Sequence, residues 1–230
     1  MSIRIHEAVA DYERRPDVSR AAWRTPRRPR PYRAVFKRVL DILLVLLALP
    51  VVLPLVLVLA VLIARDGHSP IYRQERIGRG GRSFMLWKLR TMVPDAKGQL
   101  DRYLAENAEA RAEWDAYQKL DHDPRITAIG HFLRKSSLDE VPQLWNVLKG
   151  DMSLVGPRPM MPEQRSLYPG SAYYTLRPGV TGMWQVSDRN NSTFAERAEF
   201  DTDYAERVSL LTDIKLLLAT VGVVMRCTGK

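Results

Sequence analysis

The chain has a single cysteine, Cys227, which excludes an intramolecular disulfide and any CxxC metal site. Its four histidines, His6, His68, His122 and His131, are scattered and show no HExxH spacing, whereas a zinc site needs clustered nitrogen and sulfur ligands. The glycine cluster Gly78-Arg-Gly-Gly81 is not followed by GK[ST], so it reads as a basic hairpin turn rather than a phosphate loop. No internal repeat is visible. Acid is missing from residues 20–38, which carry eight Lys/Arg. Charge of either sign is missing from Ile42 to Ala64, 23 residues without one charged or polar side chain.

What is present is an excess of positive charge. Thirty-five Lys and Arg stand against 26 Asp and Glu, giving a net charge of +9 and a pI near 9.8. Such a chain favours phosphate-bearing partners: nucleic acid, anionic lipid or phosphorylated substrates. Its 230 residues suffice for one domain with an appendage.

Residues 1–33 read as a basic tail. Arg24-Thr-Pro-Arg-Arg-Pro-Arg-Pro31 has frequent proline and no apolar periodicity, and its charges suit an anionic lipid surface. Residues 34–66 read as a membrane helix, since a 23-residue apolar run exceeds the roughly 20 residues that a bilayer core requires. Its length, its distance from the start and the lack of an A-x-A site separate it from a signal peptide. Pro50 and Pro54 break the run, and both flanks are basic: residues 65–90 carry seven Lys/Arg against Asp66 and Glu75. Basic flanks stay on the cytoplasmic side, so two of them favour a Pro-broken re-entrant helix over a simple span. Lys37, Arg38 and Asp41 are expected to anchor its entering end in the membrane surface.

Residues 67–230 then form a cytoplasmic domain, mostly α with a small β-hairpin (α+β), carrying interfacial helices. The hairpin strands are Ile71–Ile77 and Phe84–Thr91, and Lys88 and Arg90 alternate with apolar residues on the second. A polar helix is expected over Asp95–Leu120, then a turn at Asp121-His-Asp-Pro124 whose acids need no metal to explain them. Ser137-Leu-Asp-Glu140 fits a capping box and predicts a helix start, with Pro142 favouring a later one. In that setting Glu140 is a cap, and Asp139 a first-turn acid whose pKa the helix dipole lowers. Gly150–Pro159 is a loop in which two prolines mount Arg158 rigidly, suited to bidentate phosphate recognition. Arg177-Pro-Gly-Val-Thr-Gly-Met-Trp-Gln185 is a second rigid loop. A helix from Ser192 to about Arg207 carries Asp201, Asp203 and Tyr204, and an apolar final helix runs from Leu210 to Met225.

Six ordered motifs go further. Lys37-Arg-Val-Leu-Asp41, Arg76-Ile-Gly78, Phe84-x-x-x-Lys-Leu-Arg-Thr-Met92, Leu133–Leu144, Asp151–Pro159 and Arg177–Val186 resemble the bacterial sugar transferases, the monotopic polyprenyl-phosphate phosphoglycosyl transferases, over about residues 34–226. Among these the chain is most similar to the short exopolysaccharide-initiating galactose- and glucose-1-phosphate enzymes. The resemblance implies transfer of a hexose-1-phosphate from a UDP-sugar to undecaprenyl phosphate, with release of UMP. It also implies Mg²⁺, a site on the cytoplasmic face of the bacterial inner membrane, and Asp139 as covalent nucleophile. By the same resemblance Glu140 is the second catalytic residue, helping Asp139 to hold Mg²⁺ or assisting proton handling. The substrate phosphates then fall to Lys88, Arg90, Arg134, Arg158, Arg177 and Arg189. A carboxylate attacking a diphosphate meets charge repulsion, which a metal and arginines must offset. One departure is Ser187-Asp-Arg189 where many members read Ser-Gly-Arg. Membrane lipid is a partner, nucleic acid is not, and a homodimer is left open. Two other readings compete with this one: a membrane-tethered nucleic-acid or anionic-lipid binder, which explains the charge but not Asp139-Glu140, and a structural membrane-anchoring subunit, in which Asp139→Asn leaves function intact.

Overall fold

The computed structural model describes residues 31–117, 120–187 and 194–225. The basic tail up to residue 30, Asp188, Arg189 and Cys227 lie outside these residues. Tyr32 and Arg33, assigned above to the tail, open the first helical segment: a π-helical turn, Tyr32–Phe36, runs straight into α1, Lys37–Ala64. Pro50 and Pro54 lie inside α1, which continues through both. Much of its apolar surface is uncovered, with Leu47 78% and Val51 74% exposed.

Lys37, Arg38 and Asp41, at the start of α1, all find partners within the protein. They fasten it to the rest of the protein. Asp41 accepts hydrogen bonds from the Ser153 hydroxyl (2.7 Å) and the Leu154 amide (3.1 Å). Arg38 donates to the carbonyls of Val147 and Leu148 in the last turn of α5 (Gln143–Lys149). Lys37 donates to Asp213 at 2.7 Å, and Asp213 also receives the hydroxyls of Tyr32 and Tyr204.

The hairpin pairs β1 (Ile71–Ile77) antiparallel with β2 (Ser83–Leu89), in a register running from Ile71↔Leu89 to Ile77↔Ser83. β2 is the strip on which α1 rests at both ends. Leu86 packs in a cluster with Val45, Val147 and Met152, while Leu89 packs with Leu59, Ile63 and Leu133. The expected helix over Asp95–Leu120 is two helices, α2 (Ala96–Glu106) and α3 (Ala108–Tyr117), parted at Asn107, whose backbone is extended. At the following turn, Arg125 occupies both oxygens of Asp123 (2.8 and 2.6 Å), so that carboxylate is already committed. An antiparallel bridge, Met92↔Ile126, then leads into α4 (Ala128–Ser136).

The capping box is not formed. Ser137 instead closes α4 in a left-handed conformation (φ 57°), its amide bonding back to Arg134. Leu138–Glu140 is one 3-10 turn, and α5 begins only at Gln143, after Pro142. Beyond α5, the stretches read as loops hold a second sheet: β3 (Ser153–Val155) lies parallel to β4 (Gly179–Thr181). Here Gly156 and Gly179 are required by contact, since a Cβ on Gly179 would lie 2.1 Å from the Gly156 nitrogen. Short helices α6 (Ala172–Thr175) and α7 (Met183–Val186), then α8 (Arg197–Arg207) and α9 (Leu210–Met225), complete the described chain. α9 matches its expected ends, whereas the first residue of α8 falls after the expected Ser192.

Two predictions concern stability. Asp213→Ala strands a largely buried ammonium and two phenols, and is expected to cost about 3–5 kcal/mol. Asp203→Ala, which removes an exposed pair with Arg207 on one helix face, is expected to cost less than about 1 kcal/mol. Thermal unfolding in detergent distinguishes them. Burial pushes the Asp201 carboxyl up to about 6, against the opposing pull of the Tyr168 hydroxyl and Arg197. Unfolded, it ionises near 4, so between these values the folded protein keeps a proton that the unfolded chain releases. Stability therefore falls as pH rises from about 4 to about 6, by about 3 kcal/mol at most, and is flat above. Asp201→Asn should remove that slope in the unfolding midpoint measured against pH.

Candidate active site

Three segments converge on the turn that carries Asp139 and Glu140. The 3-10 turn after α4 presents both carboxylates side by side, with Asp139 only 8% exposed. β2 supplies Lys88, whose ammonium lies 2.7 Å from Glu140 Oε1 and 3.6 Å from Asp139 Oδ2. The loop after β3 supplies Arg158, 3.8 Å from the same Glu140 oxygen. The last turn of α4 supplies Arg134, held by a 2.9 Å hydrogen bond from its Nε to Thr91 Oγ1. These groups line one cavity of about 460 Å³, open to solvent beside Tyr72 and Met92.

Asp139 departs from expectation in its electrostatics. With no helix starting there, the dipole that was expected to lower its pKa is missing. Burial instead pushes the carboxyl upward. Lys88 pulls it back down, neighbouring Glu140 pushes it up again, and Arg134 opposes that rise. The turn thus holds a carboxylate whose charge is met by cations rather than by water.

The other expected phosphate ligands are distributed differently. Arg90 lines the cavity wall, but its guanidinium clamps the end of α1, donating to the Asp66 carboxylate (two bonds of 2.7 Å) and to the carbonyls of Ile63 and Ser69. That pairing holds the exposed Asp66 carboxyl down at about 2. Arg177 is not in this cavity. It faces the hairpin turn and donates to the Gly150 carbonyl at 2.9 Å. Arg189 lies outside the described residues.

Two arginines were overlooked. Arg76 bonds the Gln74 side chain at 2.6 Å and enters a small recess with Lys88, Glu140 and Arg158. Strand alternation reveals it, since Tyr72↔Lys88 and Arg76↔Phe84 in the register put Arg76 and Lys88 on one face. Arg197 donates to the Arg158 carbonyl (2.9 Å), and its guanidinium stacks 4.8 Å over Trp184. No local pattern marks Arg197, because only the tertiary fold brings α8 behind the loop. The recess, about 20 Å³, has room for about one water beside the Gln185 amide, which is buried without a partner among the described residues.

Among the described residues no three His, Cys, Asp or Glu gather into a metal cluster. The donor set fits a magnesium ion all the same. Mg²⁺ binds through one or two carboxylates and completes its shell with water and substrate phosphate. Asp139 and Glu140 offer adjacent hard oxygens of that kind.

The chain thus joins one helix long and apolar enough to cross a membrane to a carboxylate pair faced by cations in an open cavity. The family model described as "Bacterial sugar transferase" matches residues 32–227, and the chain belongs to that family. It is 47% identical over 195 residues to a UDP-galactose-lipid carrier transferase of Erwinia amylovora, covering 84% of this chain and 41% of that one. It is 46% identical to an undecaprenyl-phosphate galactose phosphotransferase of Salmonella typhimurium, with the same coverage. The exopolysaccharide production protein ExoY of Rhizobium meliloti is 41% identical over 203 residues, 87% of this chain and 90% of that one. The chain thus spans about two fifths of the first two relatives and nearly all of the third.

The two arginines should separate in their effects. Arg90→Gln is expected to lower the unfolding midpoint by roughly 3 °C or more, because it frees the end of α1. Arg158→Gln, at the solvent-facing side of the cavity, should move it by less than about 2 °C. Parallel melting curves of the two variants are the check.

Proposed function

We propose that the protein transfers a hexose-1-phosphate from a UDP-sugar to undecaprenyl phosphate and releases UMP, at the cytoplasmic face of the bacterial inner membrane. The reaction would open the synthesis of an exopolysaccharide or related glycan. The observation that carries this reading is the buried Asp139 beside Glu140, faced by Lys88, Arg134 and Arg158 in one open cavity. The names of the relatives support the substrate classes: galactose phosphotransfer to undecaprenyl phosphate, and a glucose-1-phosphate transferase in Caulobacter vibrioides.

In this proposal an Asp139 carboxylate oxygen attacks the sugar-bearing phosphorus of the donor. The bond from that phosphorus to the bridging oxygen breaks, and UMP leaves with the electron pair. The phosphosugar-aspartate is then attacked at phosphorus by an oxygen of undecaprenyl phosphate. Asp139 departs as carboxylate, and the lipid diphosphate sugar forms. Two displacements spare the site from holding both large substrates at once. Lys88 opposes the upward push of burial on the Asp139 carboxyl, and Arg158 and Arg134 are available to phosphate oxygens. Mg²⁺, held by Asp139 and Glu140, would neutralise diphosphate charge.

A re-entrant course for α1 belongs to the same proposal. Both of its ends pack on one domain: Asp41 and Val45 at the start, Leu59 and Ile63 near the finish, with Arg90 clamping Asp66 beyond. A straight span would carry one end about 30 Å away, on the far side of the bilayer. A helix bent at Pro50 and Pro54, dipping in and returning, would keep both ends with the domain and leave its uncovered middle to lipid. The active-site cavity then opens near the surface at which a lipid phosphate sits.

The test is UMP release from a panel of UDP-sugars with undecaprenyl phosphate and Mg²⁺. Asp139→Asn should lose turnover by about 10³-fold or more, Glu140→Gln should lose less, and chelation of Mg²⁺ should stop the reaction. Activity in the native enzyme should fall as acid protonates Asp139. In Lys88→Met that fall should begin at higher pH, because the cation opposing the upward push is gone. Wild-type UMP release from both Asp139→Asn and Glu140→Gln would reject the proposed chemistry.

A further inference from the structure

The hairpin turn and the Arg177 loop, far apart in sequence, meet at a second pocket. It has a volume of about 510 Å³ and is lined by Arg79, Arg82, Gly150, Asp151 and Arg177 among others. None of its lining residues belongs to the cavity at Asp139. The two pockets occupy opposite ends of the hairpin. Lys88 pairs with Tyr72 at one end and Ser83 with Ile77 at the other, a separation of roughly 17 Å at about 3.3 Å per residue.

The charge around this pocket is one-sided. Arg177 is pulled below its ordinary pKa first by burial and then by Arg38 and Arg79, so these three guanidinium groups are close enough to repel. Arg38 reaches the pocket rim, its NH2 group lying 3.5 Å from where a Cβ on Gly150 would stand. Two carboxylates offset little of this charge. Asp151 is paired with Lys149 at 3.0 Å and accepts from Asn146, while Asp41 is bonded to Ser153 and Leu154. Arg79 and Arg82 are exposed and form no ion pair among the described residues. Gly80 and Gly81 have φ of 71° and 77°, which turns the chain tightly enough to carry both arginines on the same short loop.

Cations gathered this closely cost free energy unless an anion joins them. We infer that this pocket binds a phosphate group, separately from the catalytic cavity. The planar forks of Arg79, Arg82 and Arg177 suit the oxygens of a phosphate mono- or diester. Arg38 lies on α1 one turn before the apolar run opens at Ile42, so the pocket stands at the depth where a bilayer presents its headgroups. A phospholipid phosphate and a soluble phosphate share this chemistry, and the experiment separates them.

Full-length protein in a non-ionic detergent is titrated with short-chain dihexanoyl-phosphatidylglycerol, dihexanoyl-phosphatidylcholine and inorganic phosphate, with thermal unfolding followed by tryptophan fluorescence. A ligand of the folded state raises the midpoint saturably, which yields an apparent Kd. Phosphatidylglycerol is expected to stabilise the wild type and Arg158→Gln alike. In Arg79→Gln/Arg82→Gln its apparent Kd should weaken by about tenfold or more. If inorganic phosphate shows the same dependence on Arg79 and Arg82, the pocket takes phosphate from solution as well. If it has no effect, the pocket takes headgroups alone. An unchanged phosphatidylglycerol response in the double variant would overturn the assignment. So would the absence of a saturable response to all three ligands in the wild type, since phosphatidylcholine carries the same phosphodiester.

Discussion

Two adjacent carboxylates in a largely dry turn repel each other and lose hydration, and Lys88 is what makes the arrangement tolerable. Its ammonium contacts both, at 2.7 Å and 3.6 Å. The rest of the molecule can be understood as the means of holding that contact. β2 presents Lys88, and the Asn146 side chain of α5 ties β2 down by accepting from the Trp87 amide and donating to the Met85 carbonyl. The left-handed residue Ser137 turns the chain so that Asp139 faces inward. The parallel pair β3–β4 stiffens the loop that brings Arg158 up to Glu140. A displacement of any of these would leave a buried charge unmet, which costs more than the contact itself contributes.

Much of this was legible in the sequence, and the failures have a common cause. The hairpin and α9 were readable because their signals are local: alternation around a glycine turn, and a sustained apolar period. The apolar run of α1 was readable for the same reason. Ser137-Leu-Asp-Glu140 misled because a capping pattern competes with the end of the preceding helix. Ser137 was used to close α4, and Pro142 delayed α5. The β3–β4 sheet escaped notice because three-residue strands flanked by glycine and proline carry almost no periodic signal. Their pairing depends on a crossover of more than twenty residues.

The same distinction separates the arginines. Their chemistry could be read from sequence, but their assignment could not. Arg158 reaches Glu140, Arg134 lines the same cavity while bonded to Thr91, Arg90 is spent on Asp66, and Arg177 turns to the far end of the hairpin. Lys37, Arg38 and Asp41 looked like groups for the membrane surface because they border an apolar run. Each found a partner inside the protein, at Asp213, at the end of α5 and at β3. Position beside a hydrophobic segment indicates where a charge lies, not what it touches.

The docking of α1 also bears on how the protein could be handled and how it is built. Val45, Leu59 and Ile63 fill the same clusters as Leu86, Leu89, Leu133 and Val147, so the apolar helix is part of the domain's interior as well as an uncovered apolar surface. Trimming the chain back to the hairpin would therefore not release a water-soluble enzyme. It would expose two apolar hollows directly behind Lys88, and the strand carrying that lysine would lose its backing. Solubility and catalytic competence are in this sense properties of one surface, and engineering one without the other would require refilling those hollows from elsewhere in the chain.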